Sequence, residues 1–270
     1  MSRISTKFNE LRNAGRKGFI PFVTAGDPDL DTSLKIVIAL VEGGADVIEL
    51  GVPFSDPMAD GPTIQASSQR ALEKGVAVSD VLDLVRELRQ QTEIPIVLFS
   101  YLNPLYQYGF ETLASDAREA GIDGVLVTDA VDEEASELSG VLLKNEIDLI
   151  SLIAPTTSDE RLERIAAAAK GFIYAVSRAG VTGAQKETSS TAEQLVLRAR
   201  RFTDLPIAVG FGISTRSQIE EVWNYADAAV VGSAIVAEIE RSIADGNSVE
   251  RVQRFVSELY PKVAKGNGEI

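Results

Sequence analysis

The sequence of 270 residues contains no histidine, no cysteine and a single tryptophan. Without cysteine the chain forms no disulfide, has no thiolate nucleophile and offers no thiolate ligand to a metal. Without histidine it also lacks the side chain that most often serves as general base or metal ligand near neutral pH. Any catalysis must therefore use carboxylates, tyrosine, lysine, serine, threonine or backbone amides, and we expect no metal site.

Positive charge is also scarce, since 26 lysines and arginines face 40 aspartates and glutamates, which gives a net charge of −14. So acidic a surface repels nucleic acid and anionic membranes, and a phosphate substrate would need a locally favourable site. The first residues contain no apolar signal core, and no run of ~18 apolar residues occurs anywhere. We therefore expect a cytoplasmic protein with no membrane partner.

Short apolar runs alternate along the chain with amphipathic stretches. Fully apolar runs are typical of parallel strands that are covered on both faces. Eight are predicted as strands: Phe19–Val23, Val47–Leu50, Ile96–Phe99, Gly124–Val127, Leu149–Ile153, Phe172–Val176, Ile207–Val209 and Ala228–Val231. Helices are predicted at Ser5–Ala14, Asp31–Glu42, Ile64–Lys74, Val78–Gln91, Glu111–Ala120, Glu133–Lys144, Asp159–Ala169, Ala192–Arg201, Arg216–Tyr225 and Val249–Val263.

This order predicts the α/β class, with residues 1–270 forming a single (β/α)₈ barrel domain of ordinary size, ~250 residues. Extra helices are expected at the N-terminus and after strands two and eight. The active site of such a barrel lies at the carboxyl ends of the strands. The loops after the strands are therefore the places to search for function.

Two glycine-containing loops follow strands seven and eight, where barrels commonly bind phosphate. Phe211, Gly212 and Ile213 lie in the first loop, and Gly232 and Ser233 in the second. Glycine lets the backbone approach an anion closely, and the amides of a short helix starting near Ala234 would supply donors. The alternative is that these glycines only form tight turns.

Carboxylates cluster in the segment Ile48–Gly61, which reads IELGVPFSDPMADG. Glu49 lies in a buried strand, where apolar surroundings should raise its pKa and suit it to proton transfer near neutrality. A salt bridge to a neighbouring strand is the alternative. Asp60 is either a second site carboxylate or a helix N-cap, and we expect Asp56 to be a loop or interface residue.

Several other residues are candidates from their positions alone. Tyr174 in strand six either binds substrate or fills the core. Phe22, Phe99, Tyr101 and Leu126 lie at strand ends and either line an apolar pocket or belong to the core. The fourteen residues 177–190, which include Thr182 and Gly183, are long for such a connection and are predicted to be a mobile lid.

The strand-two segment, extended to IELGVPFSDPMADGPTIQ, resembles the signature of the tryptophan synthase α subunit family. The companion motifs FIPFVTAGDP, SYLNP, SRAGVTGA, GFGIS and VVGSAIV follow in the family's order. The resemblance covers about residues 3 to 263. It implies a (β/α)₈ barrel and a lyase of tryptophan biosynthesis that cleaves indole-3-glycerol phosphate to indole and glyceraldehyde 3-phosphate.

Residue roles follow from this resemblance at the matching positions. It implies that Glu49 is the general acid/base and that Asp60 binds the indole N–H. Tyr174 matches a tyrosine close to the substrate, and Thr182 matches a lid residue that closes onto Asp60. The implied phosphate-binding residues are Gly183, Gly212, Ile213, Gly232 and Ser233, and those around the indole are Phe22, Tyr101 and Phe211.

The resemblance also implies a partner, a β subunit carrying pyridoxal phosphate, in an allosteric α₂β₂ heterotetramer. The loops 53–60 and 101–109 match the surface that faces this partner. No cofactor is expected on the present chain. Two alternatives stay open: a lyase that works alone and releases indole, and a subunit without catalytic activity that activates a partner.

Overall fold

Eight parallel strands pair in sequence order from β1 to β8, and β8 pairs with β1 to close the barrel. The computed structural model describes residues 2–130, 132–176, 185–210 and 212–260. The strands are β1 (Gly18–Thr24), β2 (Ile48–Gly51), β3 (Ile96–Ser100), β4 (Gly124–Val127), β5 (Asp148–Ile153), β6 (Ile173–Val176), β7 (Ile207–Gly210) and β8 (Ala228–Val231). All eight predicted strands are confirmed, each to within one residue at either end.

Helices connect the strands and surround the barrel. They are α1 (Arg3–Asn13), α2 (Leu30–Gly43), α3 (Pro62–Glu73), α4 (Val78–Arg89), α5 (Leu102–Tyr108), α6 (Phe110–Ala120), α7 (Asp132–Lys144), α8 (Asp159–Ala168), α9 (Gln185–Ala199), α10 (Arg216–Trp223), α11 (Ser233–Ser242) and α12 (Ser248–Leu259). The extra helices predicted at the N-terminus and after strands two and eight are α1, α3 and α12. The predicted (β/α)₈ class is confirmed.

Three details of the helix prediction are wrong. Helix α5 lies in a stretch predicted as a loop; Pro104 is in the first helical turn, where its missing N–H costs nothing. Helix α9 starts at Gln185 and not at Ala192, so residues 185–190 are helical rather than part of a loop; this polar stretch has no apolar periodicity. Helix α2 is capped by Asp29, which accepts from the Thr32 N–H at 2.7 Å, and not by Asp31.

Alternation along the strands divides the core into an interior and an outer layer. Outward residues such as Ile48 and Leu50 pack beneath the helices. Inward residues such as Val47, Val97 and Leu126 fill the barrel. Because Glu49 lies two residues after Val47, its side chain points into the barrel as well.

The amino ends of the strands, here called the bottom of the barrel, are closed by helix α1. Ile4, Phe8 and Leu11 recur at helical spacing on one face and pack into the barrel interior. The Phe8 ring lies 5.6 Å from the Phe172 ring. With the bottom filled, the carboxyl ends of the strands remain as the place for a site.

Aspartates at the bottom join neighbouring strands in a repeated way. An aspartate precedes β2, β4 and β8, and its Oδ2 accepts the N–H of the residue that starts the predicted run of the preceding strand. The pairs are Asp46 with Phe19 at 3.0 Å, Asp123 with Ile96 at 2.9 Å and Asp227 with Ile207 at 2.8 Å. Each also pairs with an arginine: Arg16, Arg89 and Arg200 respectively. The similar helix-to-strand junctions GGADVIEL, AGIDGVLV and NYADAAVV therefore have a shared structural role.

Candidate active site

Glu49 is the most unusual side chain of the barrel interior. It is 1% exposed, and neither carboxylate oxygen has a hydrogen-bond partner among the described residues. It shares its level in the barrel with Phe22 of β1 and Val97 of β3. The salt bridge considered from the sequence is thus not present within the described part of the chain.

Burial without a partner changes the acidity of Glu49. Desolvation disfavours the charged form and raises the pKa of Glu49 from 4.5 to about 8. At neutral pH the side chain is therefore largely protonated and holds a proton in an apolar environment. This confirms the expectation of a raised pKa, and it is the electrostatic condition for a general acid near neutrality.

Asp60 is the second carboxylate, on the loop between β2 and α3. It does not cap α3, since the N-cap is Gly61 and no side chain bonds to that end of the helix. The Tyr101 hydroxyl donates to Asp60 Oδ2 at 3.0 Å and accepts the Ala59 N–H at 2.9 Å. Burial raises the pKa of Asp60 to about 6, and the Tyr101 hydrogen bond acts against this rise. Tyr101 thus holds the loop by two bonds and supports the charged form of Asp60.

Tyr174 of β6 lies within electrostatic reach of both carboxylates. It is 7% exposed and packs in the barrel interior. Burial raises its pKa well above the ordinary value, and the neighbouring Glu49 and Asp60 raise it further. Its hydroxyl fits only because residue 210 is glycine: a Cβ there would lie 2.0 Å from the hydroxyl oxygen. The structure thus gathers Glu49, Asp60 and Tyr174 at the same end of the barrel.

Phe22 forms part of an apolar wall near Glu49. Its ring meets the Phe99 ring edge-on at 5.2 Å. Glycines make room for it on both sides: a Cβ on Gly51 would lie 2.6 Å from the ring, and one on Gly232 would lie 3.3 Å away. A planar apolar group above Glu49 would therefore meet aromatic side chains.

The two glycine loops after β7 and β8 lie side by side, because these strands are paired. Gly212 has a φ of +73°, a conformation that favours glycine, and Ile213 is buried next to it. Gly232 is the N-cap of α11, whose first residue is Ser233. The first amides of a helix have no partner within the helix and favour anions. Helix α11 has ten residues, longer than the short helix predicted.

Several predicted residues remain to be located. Phe211, Thr182 and Gly183 lie outside the described residues, and so does the part of the predicted lid from 177 to 184. Asp56 is exposed and accepts from the Ser55 hydroxyl at 2.5 Å, well away from the barrel interior. The expected position of Asp56 on a surface loop is confirmed.

Sequence reasoning missed the residues that make space for the site and support its loop. Gly51 and Gly210 end their strands and leave room for Phe22 and Tyr174. Phe54 lies with its ring 5.1 Å from the Tyr101 ring. The glycines at the ends of these two strands were visible in the sequence. The sequence did not show, however, which aromatic ring would occupy the space that each of them leaves.

Comparison with known proteins agrees with this geometry. The family model for the tryptophan synthase alpha chain matches residues 8–264. A tryptophan synthase alpha chain from Citrifermentans bemidjiense is 49% identical over 267 residues, covering 99% of this chain and all of the relative. The chain belongs to the tryptophan synthase alpha chain family.

Solved structures of the family have the same fold. The tryptophan synthase subunit alpha from Legionella pneumophila superposes with a TM-score of 0.89 at 37% identity, over 96% of this chain and 97% of that one. An aminoacrylate-bound tryptophan synthase from M. tuberculosis gives a TM-score of 0.86 at 33% identity, over 96% and 98% of the two chains. Among the residues described, no helix is long and apolar enough to cross a membrane.

Proposed function

We propose that Glu49 carries the proton in the reaction of this family and that Asp60 orients the substrate. The family's subunit is a lyase of tryptophan biosynthesis that cleaves indole-3-glycerol phosphate to indole and glyceraldehyde 3-phosphate. One observation carries the proposal: a buried carboxyl, with neither oxygen hydrogen-bonded within the described part of the chain, faces the interior of the barrel. Burying such a carboxyl costs free energy, and groups of this kind are concentrated at functional sites.

The reaction needs one proton delivered and one removed. Protonation of indole C3 by the Glu49 carboxyl gives an indolenine cation. Loss of the proton from the hydroxyl on the adjacent glycerol carbon then lets the carbon–carbon bond break. The bonding electron pair returns to the ring, which releases neutral indole, and the glycerol carbon becomes the aldehyde. The carboxylate formed on Glu49 is suited to accept the hydroxyl proton, so that the enzyme ends as it began.

Asp60 has a complementary role in this scheme. A carboxylate that accepts the indole N–H stabilises the positive charge on the ring nitrogen of the indolenine. Its pKa of about 6 leaves it mostly ionised at neutral pH, whereas Glu49 is mostly protonated. Two carboxylates with different pKa values thus divide the roles of acid and charge stabiliser.

Binding is assigned to the remaining predicted residues. The amides around Gly212, Ile213, Gly232 and Ser233, with the N-terminus of α11, would hold the phosphate. Phe22 and Tyr101 would flank the indole, and Tyr174 would contact the substrate beside the two carboxylates. The roles of Thr182, Gly183 and Phe211 stay predictions from the resemblance.

The test is release of indole from indole-3-glycerol phosphate by the purified chain. Glu49→Gln keeps the size of the side chain but removes the acid, and we expect kcat to fall by about 10³-fold or more. Glu49→Asp, which keeps a carboxyl at the wrong reach, serves as the matched variant and should retain a fraction of activity. Unchanged cleavage by Glu49→Gln would overturn the assigned mechanism.

The reaction consists of two proton transfers and the cleavage of one carbon–carbon bond without any change in net oxidation state, and we propose that this chain requires no cofactor or metal of its own. Full activity after dialysis against EDTA is the expected result. We further propose that the chain works in the cytoplasm, where amino-acid biosynthesis takes place.

The family's partner is the β subunit, and we propose its docking surface on this chain. Met58 is 88% exposed and Tyr106 is 64% exposed. Both lie in the segments 53–60 and 101–109, which resemble the family's partner-facing loops. Asp60 and its holder Tyr101 are in the same two segments, so a partner seated there would contact the loops that position Asp60. An α₂β₂ assembly with allosteric coupling through these loops is part of the proposal.

Affinity for a purified tryptophan synthase β subunit tests this surface. Met58→Asp and Tyr106→Asp should each weaken binding by about tenfold or more, because each buries a charge at the centre of an interface. Leu197→Asp is the matched control, since Leu197 is also an exposed apolar residue, 58% exposed, but lies on α9. Equal losses for all three variants would contradict the assignment. If the chain alone turns over as fast as the complex, the alternative of an independent lyase is favoured.

A further inference from the structure

A groove of about 630 Å³ lies outside the barrel, between α7 and α8 and over the outer face of β5. None of the residues assigned to the candidate active site lines it. A volume of this size is in the range of small-molecule sites, roughly 300–1,000 Å³.

The groove exists because β5 is incompletely covered. Leu149 and Ser151 on its outer face are only half-buried, whereas outward residues such as Leu50, Val125 and Val209 on other strands are fully buried. The facing side of α7 carries small residues at helical spacing, Ser136, Ser139 and Gly140. A Cβ added to Gly140 would meet no atom within 4 Å.

The two ends of the groove differ in chemistry. Since β5 runs from the bottom of the barrel upward and α8 runs back down, Leu149 and Ala168 line the lower part of the groove. Arg164 and Ile165 line its middle, and Arg161 and Thr157 line its upper part. Leu143 lies on the same stripe of α7 one turn below Gly140, and it is 62% exposed. The groove is thus apolar at one end and cationic at the other.

The two arginines are notable in a chain with a net charge of −14. Within the described residues, neither guanidinium forms an ion pair, whereas Arg198 of α9 and Arg201 just after that helix both bind Asp159. Glu160 lies one turn before Arg164 on the same face of α8. Even so, no ion pair forms between these two side chains in the described structure. Positive charge at this spot therefore stays available to an anion.

We propose that this groove is a binding site for a small amphipathic anion, with an aromatic or aliphatic body and a carboxylate or sulfonate head. The head would lie between Arg161 and Arg164, where charge-assisted hydrogen bonds are strongest. The body would extend downward along Leu149 and Ile165. Binding here needs no part of the substrate site.

The probe is 8-anilinonaphthalene-1-sulfonate, an aromatic anion that fluoresces when it binds an apolar site. With the full chain we expect saturable binding with one site, in the presence of excess glycerol 3-phosphate to block the barrel. The double variant Arg161→Ala/Arg164→Ala should weaken binding at least about fivefold. Gly140→Leu should abolish it by filling the groove, and folding should be preserved, because leucine has a higher helix propensity than glycine.

The control is Arg86→Ala/Arg254→Ala, which removes the same charge from a half-buried position on α4 and an exposed position on α12. Undiminished binding in this control, with loss in both groove variants, supports the site. Absence of binding, complete displacement by glycerol 3-phosphate, or equal affinity in Gly140→Leu would each overturn it. Unchanged lyase activity in all three variants is expected, because none of these residues belongs to the proposed active site.

Discussion

Buried carboxylates occur at both ends of this barrel, but they differ in whether an arginine and a backbone N–H bind them. At the bottom, Asp123 accepts the Ile96 N–H and pairs with both Arg89 and Arg3. At the upper end, Glu49 has no hydrogen-bond partner among the described residues. Burial raises the pKa of both groups, yet only for Asp123 do arginines and a backbone N–H act against the rise. The paired group holds strands together, whereas the unpaired one keeps a proton available.

Position at the upper end is not by itself what leaves a carboxylate unpaired. Asp27 follows β1 at that end and is 1% exposed. Arg70 on α3 binds both of its oxygens, at 2.7 and 2.9 Å, and also reaches Glu240 on α11 at 3.2 Å. The comparison therefore separates carboxylates by their partners: those with an arginine fix the framework, and Glu49 without one is suited to chemistry.

The largest effect on stability is expected at the bottom. Asp123→Ala removes the carboxylate that pairs with Arg89 and accepts the Ile96 N–H in a buried place, and it should cost about 3–5 kcal/mol of unfolding free energy. Urea unfolding measures this, and Asp123→Asn, which keeps an acceptor oxygen, should cost less. The kcat of the folded fraction should stay near that of the wild type. A large fall in kcat with little loss of stability would show that Asp123 does not have the purely structural role assigned to it.

A stability effect of the opposite sign is expected for Glu49 and depends on pH. The folded pKa of about 8 is raised above the ordinary 4.5, so the carboxyl imposes no penalty below pH 4.5, where it is protonated in both states. Stability is then lost as pH rises from about 4.5 to about 8, where only the unfolded chain ionises, and the loss amounts to about 4 kcal/mol between pH 5 and pH 9. In Glu49→Gln this loss should disappear.

Urea unfolding of both proteins at pH 5 and pH 9 measures the difference. Between pH 5 and pH 9 the wild type should lose more unfolding free energy than Glu49→Gln. The cost of burying the amide is the same at both pH values, so it does not affect this difference. Asp123→Asn is the comparison, since its carboxylate has partners that offset burial. Parallel pH dependence of Glu49→Gln and the wild type would mean that Glu49 has an ordinary acidity.

The smallest effect is expected for the hydrogen bond between Tyr101 and Asp60. If Glu49 must be protonated and Asp60 ionised, kcat/KM should be bell-shaped, with limbs near pH 6 and pH 8. Tyr101→Phe removes a donor that favours the charged form of Asp60. The acid limb should therefore move upward by about 1 pH unit, which corresponds to ~1.4 kcal/mol. Tyr106→Phe, which alters an exposed tyrosine on helix α5, is the control. If the acid limb of Tyr101→Phe stays in place, Tyr101 does not support the charged form of Asp60.

Many of these features were predictable from local sequence. The strands follow from apolar runs, because parallel strands covered on both faces need apolar side chains throughout. Glu49 stood out as a charge within such a run, and the glycine loops after β7 and β8 stood out by position. Helix α5 and the start of α9 were missed, since Pro104 and a polar stretch removed the local signals. The single domain over residues 1–270 and the individual site roles stay predictions.

The sequence by itself determined the order of the elements and the residue types available for chemistry. Those depend on local apolar runs and on composition, whereas the inward direction of Glu49 became clear only from the closed barrel, because its strand is apolar on both faces. Only the tertiary structure decided which carboxylates have partners. Tyr101 lies 41 residues from Asp60, and Arg89 lies 34 residues from Asp123. Closing the barrel brings such distant segments together, and it leaves Glu49 unpartnered within the described structure because the side chains around it are apolar.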